Sequence, residues 1–160
     1  MKVHILAVGR LKDGPERQLV DRYIERAKSV GKQLGFGDVS VRELPESRAK
    51  QSEQRKKEEA DAILAQVQDG AVFVFLDERG KSLTSEKFAQ HMGDWRDNGA
   101  RECWFVIGGA DGLDKDLRQR GKLTLNFSNL TWPHQIVRIM LAEQIYRAMT
   151  ILSGHPYHRS

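Results

Sequence analysis

The sequence predicts an α/β fold, a mostly parallel sheet flanked by helices, on three observations. Short apolar runs rich in β-branched and aromatic residues recur along the chain: "KVHILAVG", "VSVREL", "AVFVFLD" and "ECWFVIGG". Stretches with apolar residues three and four apart separate them, the spacing of amphipathic helices. No linker, repeat or low-complexity stretch interrupts this alternation, so residues 1–160 are expected to form one domain.

Each element has its own signal. "KVHILAVG" reads as a buried strand. In "GPERQLVDRYIERAKSVGK", Pro15 suits a first helical turn, and Leu19, Val20, Tyr23, Ile24 and Ala27 form one stripe. "VSVREL" alternates as a second strand. Residues 47–68 are charged but carry Ala60, Ile63, Leu64 and Val67 at helical spacing. "AVFVFLD" is the clearest buried strand, and "SEKFAQHMGDW" reads as a helix capped by Ser85. "ECWFVIGG" is a strand ending in glycines. "LTLNFSNLTWPHQ" starts like a short strand, continues as an Asn- and Ser-rich loop, and feeds a helix with Thr131 as cap and Pro133 in the first turn. Residues 134–152 are apolar on more than one side. A sheet covers one such side, and a second subunit is expected on another, which predicts a homodimer.

Composition narrows the function classes. A hydrophobic fraction of 39% with 30% charged residues is that of a cytosolic globular protein. No apolar run reaches the roughly 18 residues of a membrane span, so no membrane partner is expected. A single cysteine, Cys103, excludes an internal disulfide and suits a reducing cytoplasm; its place in a strand marks it as a buried hydrophobe. The net charge of +4 permits a phosphate-rich partner without requiring one. Arg48, Lys50, Arg55, Lys56 and Lys57 alternate with Glu53, Glu58 and Glu59, which reads as a solvated helix face.

Ligands of an open α/β sheet bind beyond the carboxyl ends of its strands. Three segments end there: "VFLDERG", "FVIGGADG" and "NFSNLTWPH". Gly108, Gly109 and Gly112 let a backbone approach a ligand closely, but they match neither the dinucleotide fingerprint nor the P-loop. A phosphate cradle and a ligand-free tight turn both remain open on spacing alone. No set of residues has metal-ligand spacing: His155 and His158 flank Pro156, which forbids a regular helix, and two candidates make a poor cage. No metal is expected. The mixed tail "SGHPYHRS" is unlike a tag and reads as a segment that folds back onto a site. A backbone-lined pocket with a polar tail suits a cofactor that brings its own reactive group.

At "FVIGGADGL", "LTWPHQIVRIMLAEQIYRA" and "GHPYHR" the chain resembles the small SPOUT-class methyltransferases of the ribosomal RNA pseudouridine N3 type, the RlmH family. The likeness runs from "AVGRLKD" to the tail. It implies an α/β fold with a C-terminal trefoil knot, S-adenosylmethionine as cofactor, a homodimer, and a pseudouridine in a hairpin loop of large-subunit ribosomal RNA as substrate within the assembled ribosome. By position, the implied cofactor residues are Leu76, Gly108, Phe127, Ser128, Asn129, Leu130, Thr131 and Trp132. The implied catalytic group is His155, Tyr157, His158 and Arg159. His158 or Tyr157 would accept the imide proton or hold the base, Arg159 would bind a phosphate or the developing anion, and His155 with Pro156 would aim the tail. His134 and Arg138, four apart on one helical face, would meet the tail or RNA, or form an interface pair. Arg10, Lys12, Arg22, Arg118, Arg120, Lys122 and Arg159 are candidate RNA contacts. Two rivals stand beside this reading: a nucleotide-binding domain using "IGGADG" for phosphates, and a non-catalytic ribosome-associated RNA-binding protein.

Overall fold

A computed structural model describes residues 1–159. Five parallel strands form one sheet in the order β2-β1-β4-β3-β5. They are β1 (Lys2–Val8), β2 (Val39–Leu44), β3 (Val72–Lys81), β4 (Glu102–Ile107) and β5 (Leu123–Leu125). The helices between and after them are α1 (Pro15–Gly31), α2 (Ser52–Leu64), α3 (Ser85–Asp97), α4 (Lys115–Gln119) and α5 (His134–Ser153).

Strand alternation separates two cores. Val3, Ile5 and Ala7 of β1 and Phe105 of β4 turn toward α1, α3 and α5, where Ile24, Met92, Leu141 and Met149 close the packing. Leu6, Val8, Phe75, Trp104 and Val106 turn the other way, onto Ala60 and Ile63 of α2 and Leu117 of α4. The sheet is therefore sandwiched between two helical layers, as expected for buried parallel strands. Cys103 is fully buried in β4, and burial drives its thiol far above the ordinary range, so it packs as a hydrophobe.

Several local expectations are corrected. The cap of α3 is Thr84, whose hydroxyl accepts from the Lys87 amide at 3.2 Å; Ser85 is already helical. Helix α5 begins at His134 with Pro133 as its N-cap, which puts Thr131 outside the helix. Helix α2 occupies only 52–64 of the charged segment, and its Glu59 is buried, with burial raising its carboxyl pKa. The apolar sides of α5 are covered by α1 and α3 of the same chain, so the greasy helix does not itself call for a second subunit. Exposed large apolar groups gather instead at Leu130, Trp132 and Ile136, just before and within its first turn.

The end of β3 wraps the next strand. Leu76 and Lys81 both pair with Leu125, so residues 77–80 arch over β5. Gly80 makes that possible: a Cβ there would lie 2.7 Å from the backbone of Thr124 and Leu125. Beyond β5, the Asn126 amide donates to the Lys81 carbonyl at 3.0 Å, and its side chain donates to the Glu78 carbonyl at 2.8 Å.

Candidate functional site

The carboxyl ends of β3, β4 and β5 open into one cavity of about 430 Å³. Its walls are residues 76–79 in the carboxyl half of β3, residues 107–113 from the end of β4 onward, residues 125–128 and 130–132 from the end of β5 onward, and His134 and Val137 of α5. Glu53 and Lys56 of α2, Lys115 and Arg118 complete the rim. The three segments singled out from sequence thus share one hollow. Leu76, Gly108, Phe127, Ser128, Leu130, Thr131 and Trp132 all line it, whereas Asn129 sits exposed on the same loop without lining it.

Local chemistry explains these shapes. The glycine turn closes on itself, with the Gly112 amide donating to the Gly109 carbonyl at 3.0 Å and Gly112 at φ +81°. A Cβ on Gly108 would lie 3.0 Å from Leu113 and 3.1 Å from the Gly112 backbone, so its side is already filled. The loop after β5 is a relay of side chain to backbone bonds. Asn126 Oδ1 accepts from the Ser128 amide at 2.5 Å, and Ser128 Oγ accepts from the Leu130 amide at 2.9 Å. The cavity's charged lining is mixed: Glu53, Asp77, Glu78 and Asp111 stand beside Lys56, Arg79, Lys115 and Arg118, while the Glu59 carboxyl lies behind Gly109, 3.1 Å from where a Cβ would stand.

The tail docks elsewhere. Tyr157 packs against Tyr146 in a tilted pair, ring centroids 4.6 Å apart and planes at 55°, and donates its hydroxyl to Glu143 Oε1 at 3.0 Å. Burial, followed by the Glu143 hydrogen bond, pushes its phenol well above the usual range, so it acts as a donor. His158 Nε2 lies 2.7 Å from Glu86 Oε1, and its Nδ1 lies 3.3 Å from Arg147 Nη1. Because the guanidinium only donates and the carboxylate only accepts, the ring carries its proton on Nε2 and accepts at Nδ1. Glu86 is held at about 2, first by its own backbone N–H and then by His158. His155 shapes the turn: its amide donates to the Thr150 carbonyl at 2.9 Å, and its Nδ1 accepts from the Tyr157 amide at 3.2 Å. Arg159 is exposed. No described tail residue lines the cavity of its own chain. The tail borders a second hollow of about 370 Å³, which includes Glu143 and lies across residues 125–127 from the first.

Other sequence candidates are sorted by burial. Arg138 is buried, pairs with Glu43 at 2.9 Å, and donates to the carbonyls of Val8 (3.2 Å) and Gly9 (2.8 Å). It pins α5 to the end of β1 and is not available to the tail or RNA, in contrast to the sequence reading; His134 on the same helix faces the cavity. Arg118 is half-buried on the cavity wall, 3.7 Å from Asp77, while Arg10, Lys12, Arg22, Arg120 and Lys122 are exposed. Arg55 is not merely solvated, because it forks onto Asp111 at 2.6 and 2.9 Å. Sequence reasoning did not single out Asp77, Glu78 and Arg79, His134 as a lining group, or Glu59 behind the glycine turn. The first three lie within "VFLDERG", the segment to which the strand-end rule had already pointed. Among the described residues no group of three or more His, Cys, Asp or Glu side chains is placed to hold a metal ion, and no helix is long and apolar enough to cross a membrane.

Comparisons with known proteins agree over the whole length. The family model described as "Predicted SPOUT methyltransferase" matches residues 1–158. The chain is 57% identical over 160 residues, covering 100% of both chains, to "Ribosomal RNA large subunit methyltransferase H" of Bradyrhizobium diazoefficiens. It is 58% identical, again over 100% of both, to the protein of that name from Rhodopseudomonas palustris. Among solved structures, a probable methylase family protein from Haemophilus influenzae shares the fold, with TM-score 0.50 and 12% identity over 99% of this chain and 70% of that one.

Proposed function

The chain belongs to the SPOUT methyltransferase family, and we propose that it methylates N3 of a pseudouridine in a hairpin loop of large-subunit ribosomal RNA, using S-adenosylmethionine, on assembled ribosomes in the cytoplasm. The observation that carries this is the cavity at the ends of β3, β4 and β5, walled by Leu76, Gly108, Phe127, Ser128, Leu130, Thr131 and Trp132. The names of the full-length relatives support the large-subunit RNA substrate.

The cavity fits the cofactor's chemistry. Its volume lies within the usual range of small-molecule sites, roughly 300–1,000 Å³. Leu76, Leu130 and Trp132 offer apolar surface to a flat purine, and the surrounding loops offer backbone amides and carbonyls to its polar edge. Its charged lining is balanced, with Glu53, Asp77, Glu78 and Asp111 beside Lys56, Arg79, Lys115 and Arg118, so it presents no basic cradle dedicated to phosphates. When bound, S-adenosylmethionine supplies an electrophilic sulfonium methyl group.

The remaining work falls to the chain's own residues. Pseudouridine N3 carries a weakly acidic proton, and the nucleophile forms as it leaves. His158, whose Nδ1 accepts once Arg147 is displaced, takes that proton. Arg159 pairs with a phosphate or with the imide anion, and Tyr157 holds the base through its hydroxyl. His155 and Pro156 set the turn that aims these groups.

The tail's distance from its own cavity supports a homodimer in which one subunit's tail serves its partner's cofactor. The exposed Ile136, beside the cavity-lining Leu130 and Trp132, whose outer surfaces are also exposed, supplies apolar surface for that contact. The arch of residues 77–80 over β5 supports a trefoil knot within a single domain spanning residues 1–160.

Calorimetric titration with S-adenosylmethionine, with NAD and ATP as controls, is the first test. Selective binding of S-adenosylmethionine is expected, together with methyl incorporation into ribosomes that is lost in a chain ending at Gly154. A preference for NAD or ATP would favour the nucleotide-binding rival. Ribosome association without methyl incorporation would favour the RNA-binding one.

A further inference from the structure

Arg55 looks ordinary in sequence and is fully engaged in the fold. Its Nε and Nη2 donate to Asp111 at 2.6 and 2.9 Å, a two-bond fork that a lysine cannot make. Its Nη1 donates to the carbonyls of Ala49 (3.0 Å) and Lys50 (2.9 Å). The guanidinium is thus anchored on α2 and the segment before it. Asp111 belongs to the 108–112 turn that walls the cavity, whereas Arg55 does not line the cavity. The turn's backbone hydrogen bond, Gly112 to Gly109, is internal to it and attaches it to nothing else. Three glycines make the turn conformationally free, so ordering it when a ligand arrives costs entropy unless something holds it first.

We propose that Arg55 is a positioning residue for the cofactor cavity: by gripping Asp111 it holds the 108–112 turn in the shape that receives S-adenosylmethionine, without touching the ligand. The inference rests on the cavity being the S-adenosylmethionine site. It assigns the residue a role in affinity, not in the chemical step.

The test uses the full-length protein with Arg55→Lys, Asp111→Asn and the double variant. Arg55→Lys keeps the charge and loses the fork. Calorimetry with S-adenosylmethionine and S-adenosylhomocysteine should show binding weakened about tenfold in each single variant, and the double variant no weaker than the worse single. The KM for S-adenosylmethionine should rise while kcat at saturation stays within about twofold. Thermal midpoints should stay close to wild type, because partly exposed ion pairs add little stability. The reversed pair, Arg55→Asp with Asp111→Arg, should recover part of the affinity. Unchanged affinity in Arg55→Lys, or additive losses in the double variant, overturns the inference while leaving the methyltransferase reading intact. Failure of the wild type to bind S-adenosylmethionine sinks both.

Discussion

The Arg138–Glu43 contact is the sharpest point at which to test how the cavity is held. Arg138 has only 5% of its side chain exposed, and Glu43 has 17%. Glu43 also accepts from Arg17 Nη2 at 2.8 Å and from the Leu11 amide. Burial pushes the Glu43 carboxyl up, but Arg17, the Leu11 amide and Arg138 outweigh it and hold its pKa below the usual value. Changing Glu43 to Gln keeps the shape and removes the anion. That leaves the Arg138 guanidinium buried without a counter-charge, with only neutral acceptors: the Val8 and Gly9 carbonyls and the Gln amide oxygen. Orphaning a buried charge in this way costs about 3–5 kcal/mol. For a chain of this size the loss corresponds to a fall in Tm of about 6–20 °C. Denaturant unfolding at pH 7 and one protein concentration measures it, with Arg138→Met and the double variant completing the cycle. The double variant should lose less than the two singles summed, since removing both partners leaves no stranded charge. The pH dependence has a definite sign. A depressed carboxyl contributes stability above its unfolded pKa, and that contribution disappears as pH falls through the lower folded value. The gap between wild type and Glu43→Gln should therefore close in acid. A loss under about 1 kcal/mol at neutral pH, or a gap that persists in acid, would refute the reasoning.

Two further outcomes follow from the same geometry. Gly80→Ala should destabilise by at least about 1–3 kcal/mol, because its Cβ meets rigid backbone of Thr124 and Leu125; unfolding curves matching wild type would show that the arch over β5 can yield. Glu59→Gln should gain stability relative to wild type as pH rises: a raised carboxyl pKa contributes stability that is full below the unfolded value and lost as pH climbs through the folded one. Parallel pH-stability curves for the two proteins would count against a buried, strained Glu59.

Strand identity was legible because parallel strands buried on both faces demand long apolar runs, and "AVFVFLD" and "ECWFVIGG" admit no other reading. The cavity walls were legible for a related reason: ligands collect where such runs end, and the carboxyl-terminal part of β3 does meet the segments after β4 and β5. Cap positions missed by a residue or so, since Thr84 and Ser85 are both good cap residues and only backbone geometry separates them. The tail's residues carried their chemistry in sequence, but their docking on Glu86, Glu143 and Arg147 lay outside any local pattern.

What the sequence determined by itself was therefore the periodic part: strands, helix stripes, a buried thiol and glycine turns, all set by interactions between near neighbours. The tertiary structure alone decided which charges are solvated and which are structural. Arg55, Arg138 and Glu59 look like surface residues in the chain, and each acquires its role from a partner far away in sequence, Asp111, Glu43 and Ser47 for the first, second and third. The reason is physical. Hydrophobic period is a local property, whereas the partner of a charge depends on which loops the sheet order β2-β1-β4-β3-β5 brings together.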